Sequence, residues 1–201
     1  ERLPNQYGYE WFVYAGDYTR FKLLGIKEKK VVSFYTNVHI DSTLGLKVGS
    51  TDQEAKIALT LSEYPGYYYS IYDGMKIQLY SQKGLNDGIE GYLVYDSTTI
   101  NTSDPTRETL DSMERVLFHI TNGERVSHGL NPLLWSEEAR LSSYNHSLDM
   151  SANEYFSHTS LSGEGSKERM QETGIVANVY AENIAAGYNN PFQFHYAFMH
   201  S

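Results

Sequence analysis

The stretch WSEEARLSSYNHSLDMSANEYFSH, residues 135–158, carries the clearest helix signal in the chain. Ser136 is a favoured N-cap residue, and the two glutamates after it suit the positive end of a helix dipole. Apolar residues at helical spacing predict the inner face of this helix, and they are Leu141, Tyr144, Leu148 and Ala152. We expect the helix to end near Tyr155. His158 then lies just beyond it, in a run of Ser, Thr and Gly.

Helical signals also flank this stretch, so the whole second half of the chain reads as helical. Upstream, Asp104 and Pro105 have the order expected of an N-cap and a first helical residue. The helix they begin should end near Gly129, and its predicted inner face consists of Leu110, Met113, Leu117 and Ile120. Downstream, a short helix fits residues 166–174, with Ser166 as its cap and Gly174 at its end.

The first half has a different pattern, which predicts a β-rich domain. It holds 13 of the 18 tyrosines, and its short aromatic and β-branched segments alternate with turn residues. The predicted strands are residues 9–14, 21–26, 30–37, 67–73, 75–81 and 90–97. One amphipathic helix fits residues 49–60, with Ser50 or Thr51 as its N-cap. The tyrosines could stack on sugars, or they could simply cover a half-buried sheet.

These two patterns divide the chain into two domains and define an α+β fold class. We expect a β-rich domain over residues 1–97, a Ser/Thr/Asp-rich linker over 98–109 and a helical domain over 110–201. The net charge is −9, and residues 104–201 carry −7 of it, from 6 Lys and Arg against 13 Asp and Glu. Nucleic-acid binding needs clustered Lys and Arg, so we expect no nucleic-acid partner. The absence of cysteine excludes disulfides, thiolate metal sites and Cys catalysis.

Candidate chemical groups concentrate in the second half, which holds six of the seven histidines. The motifs HExxH, G-x-S-x-G and the P-loop are all absent from the sequence. The candidates are His146, His158, Glu182, His195, His200, Ser157, Thr159 and Ser160. His119, His128 and His146 lie at helix positions that we expect to be exposed.

His158 and Glu182 stand out because each lies where an ordered element meets a loop. Glu182 is flanked by apolar residues in YAENIAAGY, and a partly buried carboxylate needs a partner such as an imidazole. Such a pair could share a proton or bind a divalent metal such as Zn²⁺ or Ca²⁺. Alternatively, it could be a hydrogen bond that fastens the loop to the core. The sequence does not assign a catalytic role to either residue.

The second half resembles the bacterial branch of the CAP superfamily, which groups cysteine-rich secretory proteins, antigen 5 and plant pathogenesis-related 1 proteins. The matching pieces are Asn122 and Arg125, GLNPLLW, HSLDM, YFSH, ERM followed by Gly174, and AENIAAGY. The first half is similar to the CAP-associated N-terminal domain, through YGYEWFVY and GIKEKKVVSFY. The resemblance implies an α-β-α sandwich and a cleft with two His and two Glu. His158 matches the first His and Glu182 the first Glu.

The resemblance is incomplete at the C-terminus. The second His follows a W-M-x-S pattern in the family, and AFMHS at 197–201 matches only that lead-in. His195 and His200 do not match it, and the second Glu has no counterpart. Residues 174–185 are the best strand candidate after residue 130, so we expect exposed apolar surface on a partial, helix-dominated sandwich. We expect either that the natural protein continues beyond Ser201 or that a partner chain, which could be a second copy, covers this surface.

These observations favour a secreted or envelope-attached, two-domain protein of Gram-positive type, with its signal or anchor upstream of Glu1. No apolar run approaches the ~18 residues that span a bilayer. The leading functional hypothesis is a binding or signalling module for a protein, a peptide or a cell-wall glycan. The alternatives are a metal-dependent peptidase that uses His158 and Glu182, and glycan binding by the tyrosine-rich domain.

Overall fold

A computed structural model describes residues 1–64, 67–81, 88–98 and 104–199. The chain forms two compact units. The first joins Glu1–Leu133 with Tyr188–Ser201, and the second is Leu134–Gly187.

The first unit is built on an antiparallel sheet, which confirms the β-rich prediction. The eight strands of the described residues are β1 (Arg2–Pro4), β2 (Glu10–Tyr14), β3 (Lys22–Lys27), β4 (Lys30–Thr36), β5 (Ser62–Tyr64), β6 (Tyr67–Tyr72), β7 (Met75–Tyr80) and β8 (Gly91–Tyr95). Their order across the sheet is β1-β2-β3-β4-β8-β7-β6-β5. The two strands that the sequence did not predict, β1 and β5, are the two edges. Each has only three residues, too few to show an alternating pattern.

Helix α1 (Asp52–Ala58) covers one part of the sheet, and its start confirms the predicted cap. Thr51 Oγ1 accepts a hydrogen bond from the Glu54 backbone N–H, and the Glu54 carboxylate accepts one from the Thr51 N–H at 2.7 Å. This reciprocal capping fixes the first turn. Ala55 and Leu59 are buried against a small core that includes Ile77.

The larger core lies under helices α2 (Arg107–Ser127) and α5 (Pro191–Met199). Helix α5 was not predicted, and its Phe192 and Tyr196 are fully buried beside the sheet tyrosines. The Tyr196 ring stacks on Tyr80 with the centroids 4.4 Å apart. The Asn37 amide donates a hydrogen bond to the Ile120 carbonyl at 2.8 Å, which fastens α2 to the end of β4.

Two details of α2 correct the sequence prediction. The N-cap is Thr106, whose hydroxyl accepts from the Thr109 N–H, and not Asp104. Ile120 is buried as predicted, but before it the buried positions each lie one residue earlier than predicted. They are Thr109, Ser112 and Val116, whereas Leu110 is exposed, because small and polar residues face inward in this part of the helix.

The second unit contains helices α3 (Glu137–Ala152) and α4 (Ser166–Glu172). Ser136 caps α3 as predicted, with its hydroxyl accepting from the Ala139 N–H at 3.1 Å. Helix α4 is capped by Gly165, whose N–H donates to Glu168, so Ser166 is its first residue and not its cap. The strand predicted over residues 174–185 does not form in the structure.

The inner face predicted for α3 was wrong, because that face has no apolar layer to pack against. Leu141 and Leu148 are about half exposed, whereas Ser142 and His146 are buried. The buried residues of Leu134–Gly187 are all polar: Ser142, His146, Ser160 and Arg169. Apolar side chains lie on its surface instead, as the sequence led us to expect, and they include Leu134, Phe156, Leu161, Val176 and Val179.

Candidate functional site

The structure brings His158 and Glu182 together in the second unit. His158 lies in the loop after α3, and Glu182 lies in the irregular segment after α4. The His158 Nδ1 and Glu182 Oε1 atoms are 2.9 Å apart. The two side chains differ in exposure, since 61% of the His158 side chain is accessible against 11% of Glu182. The imidazole is therefore exposed at the surface, whereas the carboxylate to which it is hydrogen-bonded is largely buried.

Arg169 of α4 is the third member of this site, and it was not among the site residues predicted from the sequence. Its Nη2 donates to Glu182 Oε2 at 2.6 Å, and its Nη1 donates to the carbonyls of His158 at 3.0 Å and Glu164 at 2.8 Å. One buried guanidinium thus binds the carboxylate and also fixes the backbone that carries the imidazole. Only the ERM piece of the family resemblance pointed to this residue, because an arginine on a short helix is ordinarily a surface group.

The surroundings of Glu182 keep it ionised. Burial by itself would raise the pKa of the Glu182 carboxyl, but the hydrogen bonds from Arg169 and His158 outweigh it and hold that pKa below its ordinary value. The His158 Nδ1 faces this carboxylate, so Nδ1 carries the proton and donates it in the hydrogen bond. The other ring nitrogen, Nε2, is left to exchange a hydrogen bond with a ligand or to accept a proton.

His146 corrects a second prediction, since it is buried and not exposed. Only 2% of the residue is accessible, and its Nε2 donates to the Ser157 carbonyl at 2.9 Å. Its ring also meets the edge of the Tyr155 ring. The Tyr155 hydroxyl, beyond the end of α3, donates a hydrogen bond to the carboxylate of Asp149, which lies on α3 with His146. His146 thereby fixes the start of the loop that presents His158.

Other histidines lie in the first unit and make different contacts. His119 is largely enclosed, contrary to prediction, with its ring nitrogens 2.7 Å from the Tyr18 hydroxyl and 2.9 Å from the Glu1 carboxylate. His128 is exposed as predicted. His195 is buried on α5 with its Nε2 3.7 Å from Glu124 Oε2. The remaining candidate, His200, lies outside the described residues.

The candidate hydroxyl residues near His158 organise the loop. Ser157 Oγ accepts from the Thr159 backbone N–H at 3.0 Å. Ser160 is buried, and its Oγ accepts from the Glu164 N–H at 3.0 Å. These contacts are those of turn-forming residues. Within the described residues, the His158 ring is hydrogen-bonded to Glu182 and not to one of these hydroxyls, as a nucleophile would require.

His158 and Glu182 do not fit a divalent metal as they stand. Both Glu182 oxygens already accept hydrogen bonds, one of them from a cationic guanidinium at 2.6 Å. The His158 nitrogen on that side is the donor of the other hydrogen bond. Across the described ranges, no group of three or more His, Asp and Glu residues is arranged to hold a metal ion.

Two known families match the chain, one in its first half and one in its second half. Residues 1–83 match the family described as CAP-associated N-terminal, and residues 118–201 match the cysteine-rich secretory protein family, CAP. A crystal structure of an extracellular protein containing an SCP domain, from Bacillus anthracis str. Ames, has a similar fold. It superimposes with a TM-score of 0.79 at 24% identity, covering all of this chain and 78% of that one. A cysteine-rich secretory protein (SAV1118) from Staphylococcus aureus subsp. aureus Mu50 gives 0.72 at 16% identity, covering 100% and 76%.

Two curated relatives come from Bacillus subtilis strain 168. The uncharacterized membrane protein YlbC is 26% identical over 226 residues, which cover 94% of this chain and 65% of YlbC. The uncharacterized protein YkwD is 32% identical over 106 residues, which cover 53% and 40%. The chain thus spans less than two thirds of either relative. Among the helices described here, none is long and apolar enough to cross a membrane. On the two family matches given above, residues 1–83 form a CAP-associated N-terminal region, and residues 118–201 belong to the cysteine-rich secretory protein, or CAP, family.

Proposed function

We propose that this chain works outside the cell or at the cell envelope of a Gram-positive bacterium, as a binding or signalling module. The extracellular SCP-domain protein that shares its fold supports the location. The ligand-binding group is His158, which offers its Nε2 to a polar partner at the protein surface. A cell-wall glycan, a peptide or a protein surface all carry suitable hydroxyl or amide groups.

This proposal rests on one observation: both carboxylate oxygens of Glu182 accept hydrogen bonds, one from His158 and one from Arg169. Hydrolysis by a metal-dependent peptidase would need the carboxylate as a metal ligand or as a general base. Here the carboxylate binds Arg169 and His158 and is nearly enclosed. Its role is then to hold the imidazole in one orientation, which suits recognition of a ligand. The peptidase hypothesis therefore has less support than binding.

Sedimentation with purified Gram-positive cell-wall sacculi tests this function. We expect the chain to bind sacculi and His158→Ala to bind roughly 3- to 10-fold more weakly, the effect of one lost hydrogen bond to an uncharged group. His39→Ala is the matched control, because His39 is also an exposed histidine but lies in the other unit. The same samples are incubated with casein peptides in Zn²⁺ or Ca²⁺. Metal-dependent cleavage by the unaltered chain that His158→Ala abolishes would favour the peptidase instead.

A further inference from the structure

Four tyrosines lie close together on one face of the sheet, near its β5 edge. Tyr64 of β5 is opposite Tyr67 of β6, and their rings are parallel with the centroids 5.5 Å apart. The Tyr69 ring meets the Tyr64 ring edge-on at 5.9 Å. Gln78, which is opposite Tyr69, reaches the Tyr95 hydroxyl with its Nε2 at 3.5 Å, so Tyr95 shares this face. We call these four residues the tyrosine platform.

The tyrosine platform is open to solvent and yet attached to the core. Tyr64 is 48% accessible, and the other three tyrosines are half-buried. Tyr67 and Tyr95 pack against the larger core, where the Tyr67 ring lies 6.1 Å from the fully buried Tyr80 ring. A ligand would therefore meet rings that are already fixed in position, which lowers the entropy lost on binding.

The hydroxyl groups of the platform are available to a ligand. Within the described residues, the hydroxyls of Tyr64, Tyr67 and Tyr69 form no hydrogen bond. Burial, and then the neighbouring Tyr64 and Tyr69, raise the pKa of the Tyr67 hydroxyl above its ordinary value. These phenols therefore stay neutral at physiological pH, and each can both donate and accept a hydrogen bond.

Lys76 of β7 adds a positive charge to the same face. It is opposite Tyr95, and its Nζ lies 5.8 Å from the centroid of the Tyr69 ring. No carboxylate of the described residues forms an ion pair with it. Glu63 of β5 is opposite Tyr68, and side chains alternate along a strand, so this carboxylate lies on the other face. An anionic group on a ligand would therefore be attracted here.

This combination of groups fits a sugar better than an apolar surface. The C–H face of a sugar ring is apolar and stacks on an aromatic face, while its edge carries hydroxyl groups. Those hydroxyls can exchange hydrogen bonds with the phenols. An apolar partner would instead cover the phenol hydroxyls and the Lys76 ammonium without pairing them, which costs free energy.

We propose that the tyrosine platform binds an acidic saccharide, whose sugar ring stacks on Tyr64 and whose carboxylate pairs with Lys76. Tyr69 lies between the two, with its ring centroid less than 6 Å from each contact, so a chain of sugar units can reach both. The proposal goes beyond the function assigned to His158, because it uses other residues in the other unit.

The test is an NMR titration of the full chain with a hyaluronan tetrasaccharide, in which N-acetylglucosamine alternates with glucuronic acid. We expect saturable shifts of the tyrosine ring signals of the platform. The methyl ester of the same tetrasaccharide lacks the charge and should bind about 2- to 5-fold more weakly, the effect of one exposed ion pair. Lys76→Gln should lose the same factor and no longer distinguish the acid from its ester.

Two tyrosine variants form a matched pair. Tyr64→Ala removes the most exposed ring of the platform and should bind about 3- to 10-fold more weakly, the usual worth of an aromatic contact. Tyr72→Ala is the control, because Tyr72 is 49% accessible on β6 but alternates to the opposite face. It should bind as the unaltered chain does.

Several outcomes would overturn the proposal. They are the absence of saturable shifts up to the solubility of the tetrasaccharide, equal binding of its methyl ester, and equal losses in Tyr64→Ala and Tyr72→Ala. If Tyr64→Ala does not fold, Lys76→Gln decides the matter with the acid and the ester. His158→Ala separates this site from the proposed function, because it should weaken sacculus binding and keep tetrasaccharide binding. Loss of tetrasaccharide binding in a folded His158→Ala would assign the sugar to the His158 site instead.

Discussion

Replacing Arg169 with glutamine is expected to lower the free energy of unfolding of the Leu134–Gly187 unit by about 3–5 kcal/mol, the usual cost of breaking a buried ion pair. The Arg169 and Glu182 side chains are only 8% and 11% accessible, so glutamine leaves the carboxylate enclosed without its cation. It also removes donors to the carbonyls of His158 and Glu164. Urea unfolding measures the effect through the fluorescence of Trp135, which is the tryptophan of this unit, in a Trp11→Phe background.

The matched control is Arg140→Gln on α3. Its ion pair with Glu137 is 3.8 Å long and lies at the surface, so we expect a change of about 1 kcal/mol or less. The double variant Arg169→Gln/Glu182→Gln should recover part of the lost stability, because it no longer buries a lone charge. An Arg169→Gln effect no larger than that of Arg140→Gln would show that the guanidinium does not hold this unit together.

Replacing Phe192 with alanine is expected to lower the free energy of unfolding of the sheet-containing unit by about 3–5 kcal/mol, the usual cost of removing a buried phenylalanine. Phe192 is fully buried, and its ring centroid lies 4.5 Å from that of Tyr35 and 5.7 Å from that of Trp11. Alanine would leave a cavity between α5 and the sheet. Trp11 fluorescence during urea unfolding, in a Trp135→Phe background, reports on this unit directly.

Phe194→Ala on the same helix is the control, because Phe194 is only half-buried and its ring contacts Tyr188 and Phe198. We expect a clearly smaller loss for it. Equal losses for the two variants would mean that α5 does not pack through Phe192. A Phe192→Ala effect seen only in the transition of the other unit would contradict the grouping of α5 with the sheet.

The sequence predicted those parts of the fold that depend on local signals. The six longer strands and the caps at Thr51 and Ser136 were recognisable, because alternation and capping act over a few residues. The burial of α5 and the exposed side of α3 were not predicted. Phe192 is buried because it meets sheet residues more than 150 positions away. Leu141 and Leu148 are exposed because no apolar residue of their unit is buried with them.

The candidate site was also predicted only in part, because some of its contacts give no local signal in the sequence. The apolar neighbours of Glu182 indicated burial, and burial required a partner, which pointed to His158. Arg169 gave no comparable local signal, because the contacts that enclose it come from the 158–164 loop and from Glu182. His146 was assigned to the surface because its role depends on the Ser157 carbonyl, which the fold of the loop brings to it.

The pKa of the Glu182 carboxyl, measured by ¹³C NMR over an acid titration of the full chain, tests the central claim most directly. We expect a midpoint below the ordinary value of 4.5, because Arg169 and His158 stabilise the ionised form. Because the pKa of the Glu182 carboxyl is lowered in the folded state, its ionised form stabilises the fold at pH values above the ordinary pKa. This contribution is lost as the pH falls through the folded-state midpoint. The midpoint should rise in His158→Ala. A midpoint at or above 4.5 in the unaltered chain would show that Glu182 is not the hydrogen-bonded, ionised carboxylate that orients His158.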